Sequence, residues 1–190
     1  MSRSYSAHAI HGCKTTRSVS IGIAAALLLF VGVGAAADPS LQRFVSSEGR
    51  FSVLMPGTPT SQIVPVPSGP GKTTNLFEFS LSLENGDVRY LVTYYDYPPG
   101  MNPGTPEATL EAYRDGITIG KTLLSDKATV LNGVTGRAFT AQGPDGHYDV
   151  QAYYTGDRLY VLIVFTKADR RASDRNAFMS SFEILTRPSS

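Results

Sequence analysis

A single cysteine, Cys13, occurs in the whole sequence, and it lies before an apolar N-terminal run rather than in the body of the chain. Beyond that run no thiol remains, which excludes disulfides, thiolate metal ligands and a cysteine nucleophile together. Histidine is nearly as scarce. His8 and His11 share the N-terminal stretch with Cys13, leaving His147 as the one imidazole further on, too few for a histidine-rich metal site. No block of lysine or arginine tracks a phosphate backbone, so nucleic acid is not an expected partner. The carboxylate spacing D-x-[DN]-x-[DN]-G of a calcium loop and the G-x-S-x-G turn of a serine hydrolase are missing as well. Neither a metal nor a cofactor is expected.

The N-terminus carries the parts of a secretory leader. Arg3, Lys14 and Arg17 make a basic, acid-free start, Ile21 to Val33 an apolar centre, and Ala35, Ala36 and Ala37 a small-residue cleavage site. Residues 1–37 are therefore expected to be a signal peptide cut before Asp38, which places the protein in the periplasm or outside the cell. If the leader is not cut, it is the only part expected to touch a membrane. Its removal takes three of the 17 basic residues and none of the 16 acids, turning a net charge of +1 into −2. Residues 38–190 fit one domain, long enough to bury about 70% of the surface its unfolded chain would expose.

Within that domain the chain opens on Phe44-Val-Ser-Ser-Glu-Gly-Arg-Phe-Ser-Val-Leu-Met-Pro-Gly-Thr-Pro59, a turn at Glu48-Gly49 feeding a short apolar strand. This stretch is expected to begin the sheet that later strands complete. Residues 61–66 run into Pro65, Pro67 and Pro70, which suits an edge strand because proline has no donor for a second neighbour. From 72 to 83, Phe77, Phe79, Leu81 and Leu83 alternate with Glu78, Ser80 and Ser82, the period of a half-buried strand. Asn85-Gly86 then supplies a hairpin turn, since both positions tolerate positive φ.

Residues 88–97 are apolar or aromatic on both faces, as an interior strand would be. A proline-rich crossing at 98–106 leads into a helix. Thr105 is its expected N-cap, Pro106 its first residue, and Leu110, Tyr113 and Ile117 its apolar face, with an end near Lys121. Strands follow at 125–131, 134–141 and 147–154, turned by Asn132-Gly133 and by Pro144-Asp145-Gly146. The continuous apolar run 159–165 reads as the central strand. A closing helix is expected over 168–180, with a short strand at 182–185. The result is an α+β domain, a mainly antiparallel sheet flanked by helices.

These residues resemble the PsbP-like (Mog/PsbP) superfamily, especially its bacterial exported members. The likeness rests on Glu48, Gly49, Phe51, Ser52, Val53, Pro56 and Pro59 at the front and on Phe178, Ser181 and Phe182 at the back. It implies an α-β-α sandwich serving as a binding or assembly module. Those motifs consist of turn and core positions, which specify a fold rather than an activity.

Few residues stand out as chemistry. The segment Ser68-Gly-Pro-Gly-Lys-Thr-Thr74 imitates a phosphate loop, but Val66 stands where the first glycine belongs. His147 and Asp149 share a strand face and allow a weak hydrolase reading, the plainer one being a polar pair on the solvent side of a hairpin. Glu107, Glu111 and Asp115 make an acidic helix stripe, and Arg170, Arg171 and Arg175 a basic group; both are expected to be solvated. The tyrosines carry the main expectation. Tyr94, Tyr95, Tyr97 and Tyr153 combine apolar rings with polar tips, as a contact for an envelope protein or a small apolar ligand would. The expected role is a non-enzymatic exported binding or scaffolding domain, with a small-molecule or lipid carrier as the alternative.

Overall fold

The computed structural model describes residues 41–69, 72–98, 100–101, 103–167 and 172–185. The expected leader at 1–37 and the residues after 185 lie outside this set. The chain runs β1 (Gln42–Ser46), β2 (Phe51–Met55), β3 (Thr60–Gly69), β4 (Lys72–Leu83), β5 (Val88–Asp96), α1 (Pro106–Ile117), β6 (Thr122–Leu131), β7 (Val134–Gln142), β8 (His147–Tyr154), β9 (Arg158–Thr166), α2 (Arg175–Ser180) and β10 (Glu183–Ile184).

Seven strands form one antiparallel sheet in the order β3-β4-β5-β9-β8-β7-β6. Two hairpin series, β3 to β5 and β6 to β9, meet where β9 pairs with β5 from Val88↔Thr166 to Asp96↔Arg158. Strand β9 thus occupies the centre, in keeping with its unbroken apolar run, and β3 with its prolines lies at an edge. The hairpin turns follow from their residues. Asn132 and Gly133, with φ of 50° and 84°, are the left-handed pair of a two-residue turn between Leu131 and Val134. Asn85 and Gly86, at 57° and 92°, follow Glu84 at 50° in a short 3-10 turn, and because Leu83 pairs with Val88 the expected two-residue turn is instead the longer loop 84–87.

The opening hairpin is not the start of this sheet. Strands β1, β2 and β10 form a separate three-stranded sheet, in which the C-terminal strand pairs with β2 through Glu183↔Ser52 and Ile184↔Phe51. Its inner residues Phe51, Val53 and Met55, with Phe178 and Met179 of α2, bury one face of the large sheet by covering Tyr90, Val92, Tyr94, Tyr160 and Leu162. On the other face α1 places Leu110, Tyr113 and Ile117 against Phe139, Val150, Ala152 and Val161. Helix, sheet and a mixed layer of helix and small sheet make the sandwich.

Both helices are shorter than their apolar patterns. Helix α1 begins as expected, the Thr105 side chain accepting from Ala108 N at 3.2 Å. It ends at Ile117, four residues early, where the Thr118 hydroxyl donates to Arg114 O at 2.8 Å and Lys121 Nζ donates to Ile117 O at 2.9 Å. A hydroxyl and an ammonium thereby satisfy terminal carbonyls that a further turn would have used. The described part of α2 starts at Arg175, with residues 173–174 in a turn; Ser and Asp favour such turns over helix interior. Residues 168–171 of the expected helix lie outside the described set.

Candidate functional site: an aromatic pocket beside the first helix

Strand β5 ends in Tyr94, Tyr95 and Asp96 with Tyr97 directly after it, and the pleat sends alternate side chains to opposite faces. Tyr95 and Tyr97 go to the α1 face. There the backbone of Tyr97 is tied to the β8–β9 turn by its N–H to Asp157 O at 2.8 Å. The rings of Tyr95 and Tyr97 lie 4.5 Å apart, and Tyr97 meets Tyr154 edge-on at 5.4 Å. The following loop is anchored to the helix by Thr109, whose hydroxyl contacts Pro103 O at 3.2 Å and Thr105 O at 2.9 Å.

These elements enclose a pocket of 280 Å³ lined by Tyr95, Tyr97, Pro103, Thr109, Ala112, Tyr113 and Leu159. Burial pushes the phenols of Tyr95, Tyr97 and Tyr113 above their ordinary pKa, with the hydrogen bond between Tyr95 and Tyr97 raising Tyr95 further. The pocket wall is therefore uncharged across the physiological range. It offers apolar surface and phenol dipoles, not acid or base.

The four tyrosines expected to act together are divided between two faces. Tyr95 and Tyr97 are half-buried at the pocket. Tyr94 and Tyr153, 1% and 5% exposed, belong to the core on the opposite face. Tyr94 is stacked on Phe77 at 4.7 Å and lies under the Arg158 guanidinium at 4.2 Å. Tyr153 stacks on Phe182 and donates to Gln151 Oε1 at 3.1 Å. Neither can reach a partner, and both leave the contact set. Tyr113, on the apolar face of α1, replaces them, and Pro103 beside it makes it a pocket wall.

The other candidates resolve into ion pairs. Asp149 is not on the solvent side of a hairpin: its carboxylate is 6% exposed and accepts from Arg175 of α2. His147 Nε2 lies 3.6 Å from the same Asp149 oxygen. Among the described residues no hydroxyl is hydrogen-bonded to this imidazole. Arg175, expected to be solvated, is the partner that occupies Asp149. The acidic stripe of α1 stays at the solvent as expected, Glu107 being exposed, while Glu111 pairs with Arg137 at 3.1 Å and Asp115 with Arg114 at 2.7 Å. Asp126 bridges both arginines, and those hydrogen bonds, Arg137 first, hold its carboxyl below the usual range against the opposing effect of burial.

Arg158 carries no motif in the sequence. It is 6% exposed and reaches from β9 to the β1–β2 turn, donating to Gly49 O at 2.8 Å and Glu48 O at 3.1 Å while its other nitrogens grip the Asp96 carboxylate. Burial opposes its charge, but Asp96 and Tyr160 keep its pKa above the ordinary value. The one available signal was a charged residue at the mouth of the most apolar strand.

Among the described residues no group of three or more His, Cys, Asp or Glu could hold a metal ion, and no helix is long and apolar enough to cross a membrane. The architecture is a PsbP-like α+β fold. It is similar to the solution structure of cyanobacterial PsbP (CyanoP) from Synechocystis sp. PCC 6803, with a TM-score of 0.51 and 17% sequence identity over 80% of this chain and 96% of that one. No protein-family model and no curated protein matches the chain. The likeness to cyanobacterial PsbP is one of fold alone.

Proposed function

We propose that this protein is an exported, non-enzymatic binding module that captures a partner protein of the cell envelope by taking one of its apolar or aromatic side chains between Tyr95, Tyr97 and Tyr113. The export rests on the leader-like residues 1–37. The single observation carrying the binding reading is the size and chemistry of the pocket. At 280 Å³ it falls just under the roughly 300–1,000 Å³ of small-molecule sites, and it suits an anchor side chain of a protein interface. Two aromatic walls on a rigid strand end lose little conformational entropy on contact.

The rival readings have less support. A lipid carrier needs an apolar cavity deep enough for an acyl chain, whereas the core around Phe51 is filled, its ring lying 5.5 to 6.4 Å from those of Phe79, Tyr94, Tyr160 and Phe182. A hydrolase needs His147 beside a nucleophile, and Asp149, the carboxylate nearest it among the described residues, is already engaged by Arg175.

The experiment is photocrosslinking from position 97 in envelope extracts, followed by purification of the captured protein and a binding titration. Wild type is expected to bind the purified partner, with Tyr97→Ala and Tyr95→Ala each weakening it by about tenfold or more while both variants remain folded at the temperature of the titration. Equal affinity of wild type and both variants would refute the assignment.

A further inference from the structure

A second cavity, of 430 Å³, opens on the opposite face of the large sheet, between α2 and strands β6, β7 and β8. Its volume lies within the range of small-molecule sites. Its lining is mixed: Ala138, Val150 and Met179 are apolar, but unlike the aromatic pocket it also presents charged and amide groups, namely Lys127, Asp149, Gln151, Arg175 and Asn176.

What distinguishes this cleft is which of its hydrogen-bonding groups are already used. Gln151 Oε1 accepts from the Tyr153 hydroxyl at 3.1 Å, so its amide NH2 is left to donate. Asn176 Oδ1 accepts from Arg175 Nη1 at 3.0 Å, leaving its NH2 likewise. The Asp149 carboxylate is covered and neutralised by Arg175, and Arg175 Nε is buried with no acceptor. The ammonium of Lys127 makes no ion pair or hydrogen bond among the described residues. Ser125 and Thr140 hydroxyls bond each other at 2.8 Å. Three side-chain acceptors, Gln151 Oε1, Asn176 Oδ1 and Asp149 Oδ1, are engaged, whereas the two amide NH2 groups, Arg175 Nε and the Lys127 ammonium make no hydrogen bond among the described residues; Lys127 and Arg175 against Asp149 leave one positive charge in excess.

A site with surplus donors and a net cation calls for an oxyanion, because unpaired donors in a recess gain most from charge-assisted bonds. We infer that the cleft under α2 binds a small anionic metabolite through its carboxylate or phosphate group, held by Lys127, Gln151 and Asn176. The sheet separates this site from the tyrosine pocket, so it does not depend on the partner-binding reading.

The test is an NMR titration of the domain with citrate and, separately, with inorganic phosphate, at constant ionic strength set by chloride. One of the two anions is expected to shift the backbone amides of Lys127, Thr140, Gln151 and Asn176 together in a saturable manner. Which one saturates identifies carboxylate or phosphate as the recognised group. Lys127→Ala should weaken that binding by about tenfold or more, as loss of a charge-assisted contact does. Gln151→Glu, which replaces a donor with a carboxylate, should abolish it, while Lys167→Ala, a surface lysine paired with Asp87 at 3.4 Å, should not change it. Absence of saturable shifts with both anions overturns the inference, as does an equal loss in Lys167→Ala, which would reveal non-specific attraction.

Discussion

The guanidinium of Arg158 donates to the carbonyl oxygen of Gly49 at 2.8 Å, across 109 residues of sequence. This bond, with those to Glu48 O and Asp96, fastens the small β1–β2–β10 sheet to the centre of the large one. The Tyr160 hydroxyl reaches the same Gly49 oxygen at 2.9 Å, so one turn carbonyl is held by two side chains of the central strand. A charge removed from water in this way needs every partner, and a single replacement leaves several polar atoms stranded.

Arg158→Ala should accordingly destabilise the domain by about 3 kcal/mol, since it orphans the turn carbonyls and removes the cation resting on Tyr94. Arg158→Lys should restore less than half of that loss, because an ammonium lacks the planar fork that serves Asp96 and the turn at once. Urea denaturation of the three proteins gives the comparison. A midpoint for the alanine variant equal to wild type would show that the fastening is incidental.

Gly49 itself is a close-approach position. A Cβ added there would lie 2.6 Å from a Phe51 ring atom and 2.7 Å from Ser46 Oγ, the hydroxyl that accepts from Gly49 N at 2.9 Å. Gly49→Ala is expected to cost about 1–3 kcal/mol through displacement of a fully buried ring. Thermal unfolding by circular dichroism measures it, and an unshifted transition contradicts the contact.

The two faces of β5 should respond differently to the same substitution. Tyr94→Ala opens a hole in the ring cluster and should cost about 3–5 kcal/mol, the range for large aromatic truncations in a core. Tyr97→Ala, at a half-buried rim, is expected to cost less than about 1.5 kcal/mol and to show its effect in partner binding instead. Parallel melts and titrations separate these outcomes; comparable destabilisation by both would remove Tyr97 from the site.

Acid should erase the contribution of Asp126. Its folded pKa is depressed, chiefly by the Arg137 hydrogen bonds at 2.6 and 2.7 Å. The unfolded chain therefore takes up the proton first. The stabilisation is present in full above the unfolded value of about 4 and is lost as pH falls through the folded one. Asp126→Asn should thus lower stability by about 1 kcal/mol at neutral pH, and the gap from wild type should close in the acid limb below about pH 4. A gap that persists unchanged to strongly acidic pH would mean that the charge is not what matters.

Much of the architecture was legible because its causes are local. The strand over 72–83 declared itself by alternating Phe77, Phe79, Leu81 and Leu83, and Thr105 with Pro106 announced the helix start from the needs of the first turn. Strict alternation even held the clue that the tyrosine set could not stay whole, since Tyr94 and Tyr95 must point to opposite faces of any strand.

What the sequence determined by itself was therefore most of what is set within a few residues: which segments are strands or helices, though not where both helices end, which residues alternate together, and the lack of any cysteine after Cys13. Only the tertiary structure decided which layer each face would meet. That choice sent Tyr94 inward and left Tyr95 beside Tyr113, joined the first strands to the last in a separate sheet, and brought Arg158 to Gly49. The physical reason is that such contacts are made between segments distant in the chain, where competing pairings bury similar apolar area and no local preference distinguishes them.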